Sequence, residues 1–258
     1  MTTVDQRTAR LNMPHLVSSE WLKLRSLRAF WVGVAAALLL GVLGGVLPTM
    51  FFTPENPPTS DEAPYVVFMI ANIGVQVAIL TLAVLTLGSE YSTGSIRLTF
   101  VAAPSRLRVI AAKALVVAVT SALLAVVSLP ISWLVVLPRL NSLGLDTPIG
   151  NVFGALGRQV GFLTLLALFA FAVTLAVRST AIAVGVVLGV VFVVPSLLNL
   201  IGGGLDLELD RLGFAEAAGN IFDGSSSAGT VLAGVLTVTV WWAVPFVLGA
   251  AALVRKDA

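Results

Sequence analysis

Six apolar runs, each close to or longer than the roughly 20 residues a helix needs to cross a bilayer, dictate what this chain can become. They fall at about 30–52, 65–87, 109–137, 159–177, 181–201 and 229–254. Hydrocarbon offers no water to satisfy backbone N–H and C=O groups, so such runs fold as helices. The expectation is an all-α polytopic membrane protein, a single transmembrane domain over 1–258. Charge content agrees: Asp, Glu, Lys and Arg make up 11% of the residues, against about 25% in a soluble domain. A large soluble core is excluded.

The segments between the runs orient them. An even number of spans puts both termini on one side. Arg7, Arg10, Lys23, Arg25, Arg28, Arg97, Arg106, Arg108, Lys113, Arg178, Arg255 and Lys256 share that side, leaving Arg139, Arg158 and Arg211 on the other. Cations concentrate on the cytoplasmic face, so both termini and the 88–113 segment are expected there. The acidic loop at 202–228, with a short helix at 212–222, then faces outward.

Residues 1–13 are polar and read as a flexible tail. Pro14 opens an amphipathic interfacial helix over 14–28, with Leu16, Val17, Leu24, Leu27 and Trp31 on one face. Glu20 falls in the middle of that face, which a helix lying only on lipid would avoid. Glu20, Lys23 and Arg25 are therefore candidate contact residues, with Glu20–Lys23 pairing as the simpler reading. The polar lead is too long, and the following run too extended, for a signal peptide.

Within the spans, Gly33, Ala37, Gly41 and Gly45 recur every four residues, as do Ala181, Gly185 and Gly189, and such small-residue stripes let helices approach closely. Asn72 and Gln76 lie one turn apart on the face of Met69, and Asn199 closes the fifth run. Carboxamides in lipid need partners: Asn72 and Gln76 either bond between helices or line a substrate path. Pro130 and Pro195 predict kinks. Turn residues at Asn141, Gly144 and Asp146, followed by Thr147–Pro148, predict a short interfacial helix within 138–157.

The absences narrow function. The chain has no cysteine and one histidine, His15, ahead of every span. No phosphate-cradling loop, no HExxH and no nucleic-acid module occurs, so neither catalytic nor metal-binding residues are assigned. No Asp, Glu or Lys is expected deep in a span, which counts against a proton-coupled carrier. The 88–113 segment, GSEYSTGSIRLTFVAAPSRLRVIAAK, is the one structured basic interruption. It is either a docking surface or a loop whose cations only fix topology.

That segment resembles the cytosolic loop of six-helix ABC exporter permeases of the type-2 class. Glu90, Gly94, Ile96, Arg97, Ala103, Pro104, Arg106, Arg108 and Lys113 fill the family's acid, Gly-Thr-Ile/Leu-Arg, Ala-Pro and basic positions, with Ser95 in place of the usual Thr. SEWLKLRSLRAFW is similar to the family's opening, through Glu20, Lys23, Leu24, Arg25, Ser26 and Arg28. The resemblance implies a transport subunit that is no enzyme and binds no cofactor itself. ATP and Mg would sit on separate cytosolic ATPase subunits, and a second permease chain would complete a homodimer or related heterodimer in the plasma membrane.

It also implies a coupling helix at 92–101, with Glu90, Tyr91, Gly94, Ile96, Arg97, Phe100 and Arg106 meeting the ATPase. Glu20 and Glu90 would pair with Arg97 or with the ATPase. Met69, Asn72, Gln76 and Asn199 would line the substrate path, and Gly33, Gly41, Gly45, Gly185 and Gly189 would pack helices, at a dimer contact among other places. The expected substrate is amphiphilic, peptide, drug or lipid-like, in contact with membrane lipids and with no nucleic acid involved. An ATP-independent secondary carrier or a membrane assembly protein is the alternative.

Overall fold

A computed structural model describes residues 13–55, 57–96, 106–205, 209–222 and 227–255. Helix α1 spans Met13–Ser26, α2 Arg28–Thr49, α3 Glu62–Thr93, α4 Arg106–Ser142 and α5 Ile149–Val177. Then come α6 (Thr180–Leu188), a π turn (Gly189–Val193), α7 (Val194–Leu205), a 3-10 turn (Leu209–Leu212), α8 (Phe214–Phe222) and α9 (Ala228–Arg255). Six helical stretches among the described residues are long and apolar enough to cross a membrane, α6 through α7 counting as one. Leu39, Leu43, Leu123, Leu134, Leu236 and Val240 point outward, as lipid-facing side chains do.

Helices α2, α3, α4 and α5 form the core, with α3 at its centre. Lipid is as apolar as leucine, so close packing, rather than escape from water, holds such a bundle together. Glycine makes the approach possible. A Cβ on Gly44 would lie 2.7 Å from the Ile70 carbonyl oxygen, and one on Gly74 would lie 2.6 Å from Leu40 Cβ. Gly33 faces Leu82, Gly41 faces Val75, and Gly45 abuts Ser132. Ser132 Oγ donates to the Gly41 carbonyl at 3.0 Å, tying α4 to α2. Gly185 and Gly189, by contrast, have nothing within 4 Å of where a methyl would sit, so among the described residues this stripe packs against no part of its own chain.

Helix ends follow local chemistry. Thr59 and Glu62 form a reciprocal box before α3: the Thr59 N–H donates to Glu62 Oε2, and the Glu62 N–H to Thr59 Oγ1, both at 3.2 Å. The helix continues past the expected end at 87 until Gly94 takes a left-handed φ of 71°. Helix α4 runs 37 residues through Pro130 and Pro138, longer than the expected 109–137. The interfacial helix expected within 138–157 is not a separate element. After a turn at Gly144, α5 starts at Ile149 and continues unbroken through the fourth span, which keeps its backbone hydrogen bonds internal. The fifth span widens into the π turn just before Pro195, whose ring and missing N–H disrupt the preceding α-helical turn.

Arg178, at φ 59°, closes α5 and starts the tight turn to α6. Gly88 of α3 presses on Thr180 in that turn, and Gly249 of α9 presses on Leu175. The end of α3, the α5–α6 turn and the end of α9 therefore gather at the end of the bundle that carries α1. At the opposite end, α8 is wedged between α5 and α9. Phe214 stacks on Phe169 at 5.1 Å, and Trp241 Nε1 donates to the Leu212 carbonyl at 2.9 Å.

Candidate functional site

Lys113 lies seven residues into α4, roughly 10 Å along its axis, and is 1% exposed. Buried Val109, Ile110, Val116 and Val117 surround it in sequence. An ammonium this deep costs several kcal/mol in lost hydration unless it is paired. It has two partners: Glu20 of α1, in direct contact, and Glu90 of α3, whose Oε1 is 2.7 Å away. Lys23 adds contacts of 2.7 Å to Glu20 Oε1 and 3.5 Å to Glu90 Oε1. Two ammoniums thus face two carboxylates where α1, α3 and α4 meet. Burial opposes the charged form of Lys23, but Glu20 and Glu90 outweigh it and hold its ammonium above the ordinary 10.5.

Around this cluster α1 is docked, not free on a surface. Glu20 and Leu24 are its buried residues, while Arg25 is exposed. Trp21 meets Phe30 edge-on at 5.9 Å, and Trp31 Nε1 donates to the Arg25 carbonyl at 3.0 Å, fixing the corner between α1 and α2. A crevice of about 320 Å3 opens between α1 and the end of α3, lined by Glu20, Lys23, Leu27, Thr86, Ser89 and Thr93 among others.

The chain then turns at Gly94. Tyr91 is half-buried, Ile96 is 6% exposed, and Arg106 opens α4. Arg97 and Phe100, with most of the expected 92–101 helix, lie outside the described residues; Ser92 and Thr93 belong to the last turn of α3. Several polar atoms here are buried without a hydrogen-bond partner: Glu90 Oε2, the Tyr91 hydroxyl, Arg178 Nε and Nη2, and Thr180 Oγ1.

At the far end, Met69 and Asn72 line a cavity of about 530 Å3 between α3, α5 and α8. Gln76, one turn deeper, is buried at 6% exposure and is not part of the cavity wall. Asn199 lies on an exposed face of α7, where its Nδ2 donates to the Pro195 carbonyl at 3.0 Å. The four expected path residues therefore do not converge.

The family model described as ABC-2 family transporter protein matches residues 16–196, from α1 into α7. The chain belongs to the ABC-2 transporter family. The match takes in all four residues of the ion cluster and both helices flanking the Gly94 turn. A search of curated proteins found no match. As an ABC-2 permease, the chain is a membrane component of a transporter and not itself catalytic, so the cluster is read as structural chemistry.

Lys113 is the residue whose partners sequence reasoning missed. Lys113 is buried within the protein near the start of α4, because that helix begins at Arg106 and packs its first turns against α1 and α3. The signal was present as a mismatch. Glu20 interrupts an apolar face, and Lys113 is the one cation in the stretch VIAAKALVVAV. Opposite charges stranded on apolar faces solve one another's desolvation.

Proposed function

We propose that this chain is the membrane-spanning permease of an ATP-binding-cassette exporter, driven by separate cytosolic ATPase subunits and paired with a second permease chain, identical or related. In this reading the α1 end of the bundle faces the cytosol, as the cation distribution favours, and the membrane is the plasma membrane. The ATPases press on the turn after Gly94, with Tyr91, Ile96, Arg97, Phe100 and Arg106 as the contact set. ATP and Mg stay on the partner, and the cargo is an amphiphile, peptide, drug or lipid-like molecule.

The observation that carries this reading is the buried Lys113 joint. It fastens α1 and the helices on both sides of the turn into one body, so a push there moves α3 and α4 together. The unpartnered polar atoms of Glu90, Tyr91, Arg178 and Thr180 beside it support a contact that a partner's groups complete. The test is purification of the tagged chain from its native membrane in mild detergent, with mass spectrometry of what accompanies it. A stoichiometric ATPase carrying a phosphate-binding loop, lost on Arg97→Glu with the permease still inserted, is the expected result. A chain that transports alone in several detergents would overturn it.

A further inference from the structure

The cavity between α3, α5 and α8 has a wall divided by chemistry. Asn72 and Gln159 line it and are 7% and 9% exposed, so both residues are more than nine-tenths buried. The side-chain oxygen of Asn72 has no hydrogen-bond partner in the protein. A buried acceptor left unpaired is unfavourable, and a donor entering the cavity removes the penalty. The Arg158 guanidinium lies over the Tyr65 ring, 5.8 Å from its centroid, which holds positive charge at the same wall. Glu216 of α8 also lines the cavity and brings acceptor oxygens to it. At about 530 Å3 the space falls in the range of small-molecule sites.

An apolar track leads away from it. Tyr65, Met69, Ile73 and Val77 are exposed at four-residue spacing along α3, and the first two also line the cavity. From the first to the last is roughly 18 Å, comparable to the ~15 Å depth of one hydrocarbon leaflet. A polar chamber at the head of an apolar track matches an amphiphile. A water-soluble ligand would use the chamber and leave the track bare.

We propose that this cavity binds the head group of an amphiphile carrying hydroxyl donors beside an anionic phosphate, with its acyl chain along the Tyr65–Val77 track. The hydroxyls answer Asn72 and Gln159, the phosphate answers Arg158, and Glu216 disfavours a head group of phosphate alone. Binding here needs no ATPase, so this site and the coupling assignment stand or fall separately.

The test is native mass spectrometry of the purified chain with equimolar phosphatidylglycerol, which has hydroxyl donors, and phosphatidylcholine, which has none. Phosphatidylglycerol is expected to be retained about tenfold better, the worth of one well-made hydrogen bond. Asn72→Leu and, separately, Gln159→Leu should each erase most of that preference. Asn72→Leu should also raise the lipid-free melting temperature, because it removes an unpaired buried acceptor. Equal retention of the two lipids, or a preference unchanged in both variants, overturns the proposal. Glycerol 3-phosphate binding as tightly as the lipid makes this a soluble-ligand site and overturns the acyl track. A dimer that forms without retained lipid, with the track protected, assigns the stripe to a second copy and likewise overturns it.

Discussion

Lys113 Nζ sits 2.7 Å from Glu90 Oε1, so the helices on either side of the Gly94 turn are joined by a buried ion pair. Glu20 closes the same joint from α1. Three elements far apart in sequence thus share one charge-balanced contact. Breaking a buried pair by removing one member costs far more than replacing the whole set with neutral groups. Lys113→Met should therefore destabilise the protein by about 3–5 kcal/mol, read as a lower melting temperature in detergent. Glu20→Gln and Glu90→Gln together should recover most of the loss in the Lys113→Met background. Failure of the triple variant to recover would show that the charges are not what holds the joint.

Lys23 is the outer member of the cluster, with its side chain 46% exposed, so its contribution is small; such pairs are worth about 0–1 kcal/mol. Its folded pKa is raised above 10.5, so the stabilisation is complete below that value and is lost as pH climbs through the folded one. Docking of α1 should hold steady from neutral pH to about 10 and loosen above 10.5. The chain has no cysteine, so a spin label on Ser18→Cys reports α1 alone. The label's mobility should rise in that alkaline range, and Lys23→Met should already be slightly mobile at neutral pH and flatter across the titration. Identical curves for the two would remove Lys23 from the joint.

Gly44 of the first span and the Gly185–Gly189 stripe should respond oppositely to substitution. A methyl on Gly44 meets the backbone of Ile70 and Ala71 at 2.7 and 2.8 Å, and backbone cannot step aside cheaply. Gly44→Ala should cost about 1–3 kcal/mol, as overpacking does. Gly185→Ala has open space and should leave the melting temperature of the isolated chain within error. Loss of self-association in Gly185→Leu, with unchanged monomer stability, would assign that stripe to a second copy.

Gly94 is needed for its backbone, not for space. Its φ is 71° and nothing lies within 4 Å of where a methyl would be. Gly94→Ala should cost roughly 1 kcal/mol, and Gly94→Asn less, since Asn tolerates the left-handed region. Transport should fall further in Gly94→Ala than that stability loss explains, if the turn transmits force. Transport that merely tracks protein abundance across both variants would argue against this.

Much of the fold was legible because the bilayer acts on each segment separately. A run of apolar residues must satisfy its own backbone, so the six spans could be read from length and composition alone. Boundaries were less legible. Pro138 and the polar residues after it look like an exit, yet α4 continues to Ser142, and α5 absorbs the residues read as an interfacial helix. Of the expected path residues, Met69 and Asn72 share a cavity wall, while Asn199 sits on another face. One sequence offers no way to tell which carboxamide faces which helix.

The amino-acid sequence by itself determined the six spanning helices. They follow from a local rule, the need of every backbone group in lipid to be satisfied within its own segment. Tertiary structure alone decided that Glu20 and Glu90 share Lys113, and that the Gly33–Gly45 stripe is covered while Gly185 and Gly189 are open. It also decided that Asn72 faces a cavity. The physical reason is that lipid solvates every apolar helix face almost equally. Which faces meet therefore depends on matched shapes and charges brought together from distant parts of the chain.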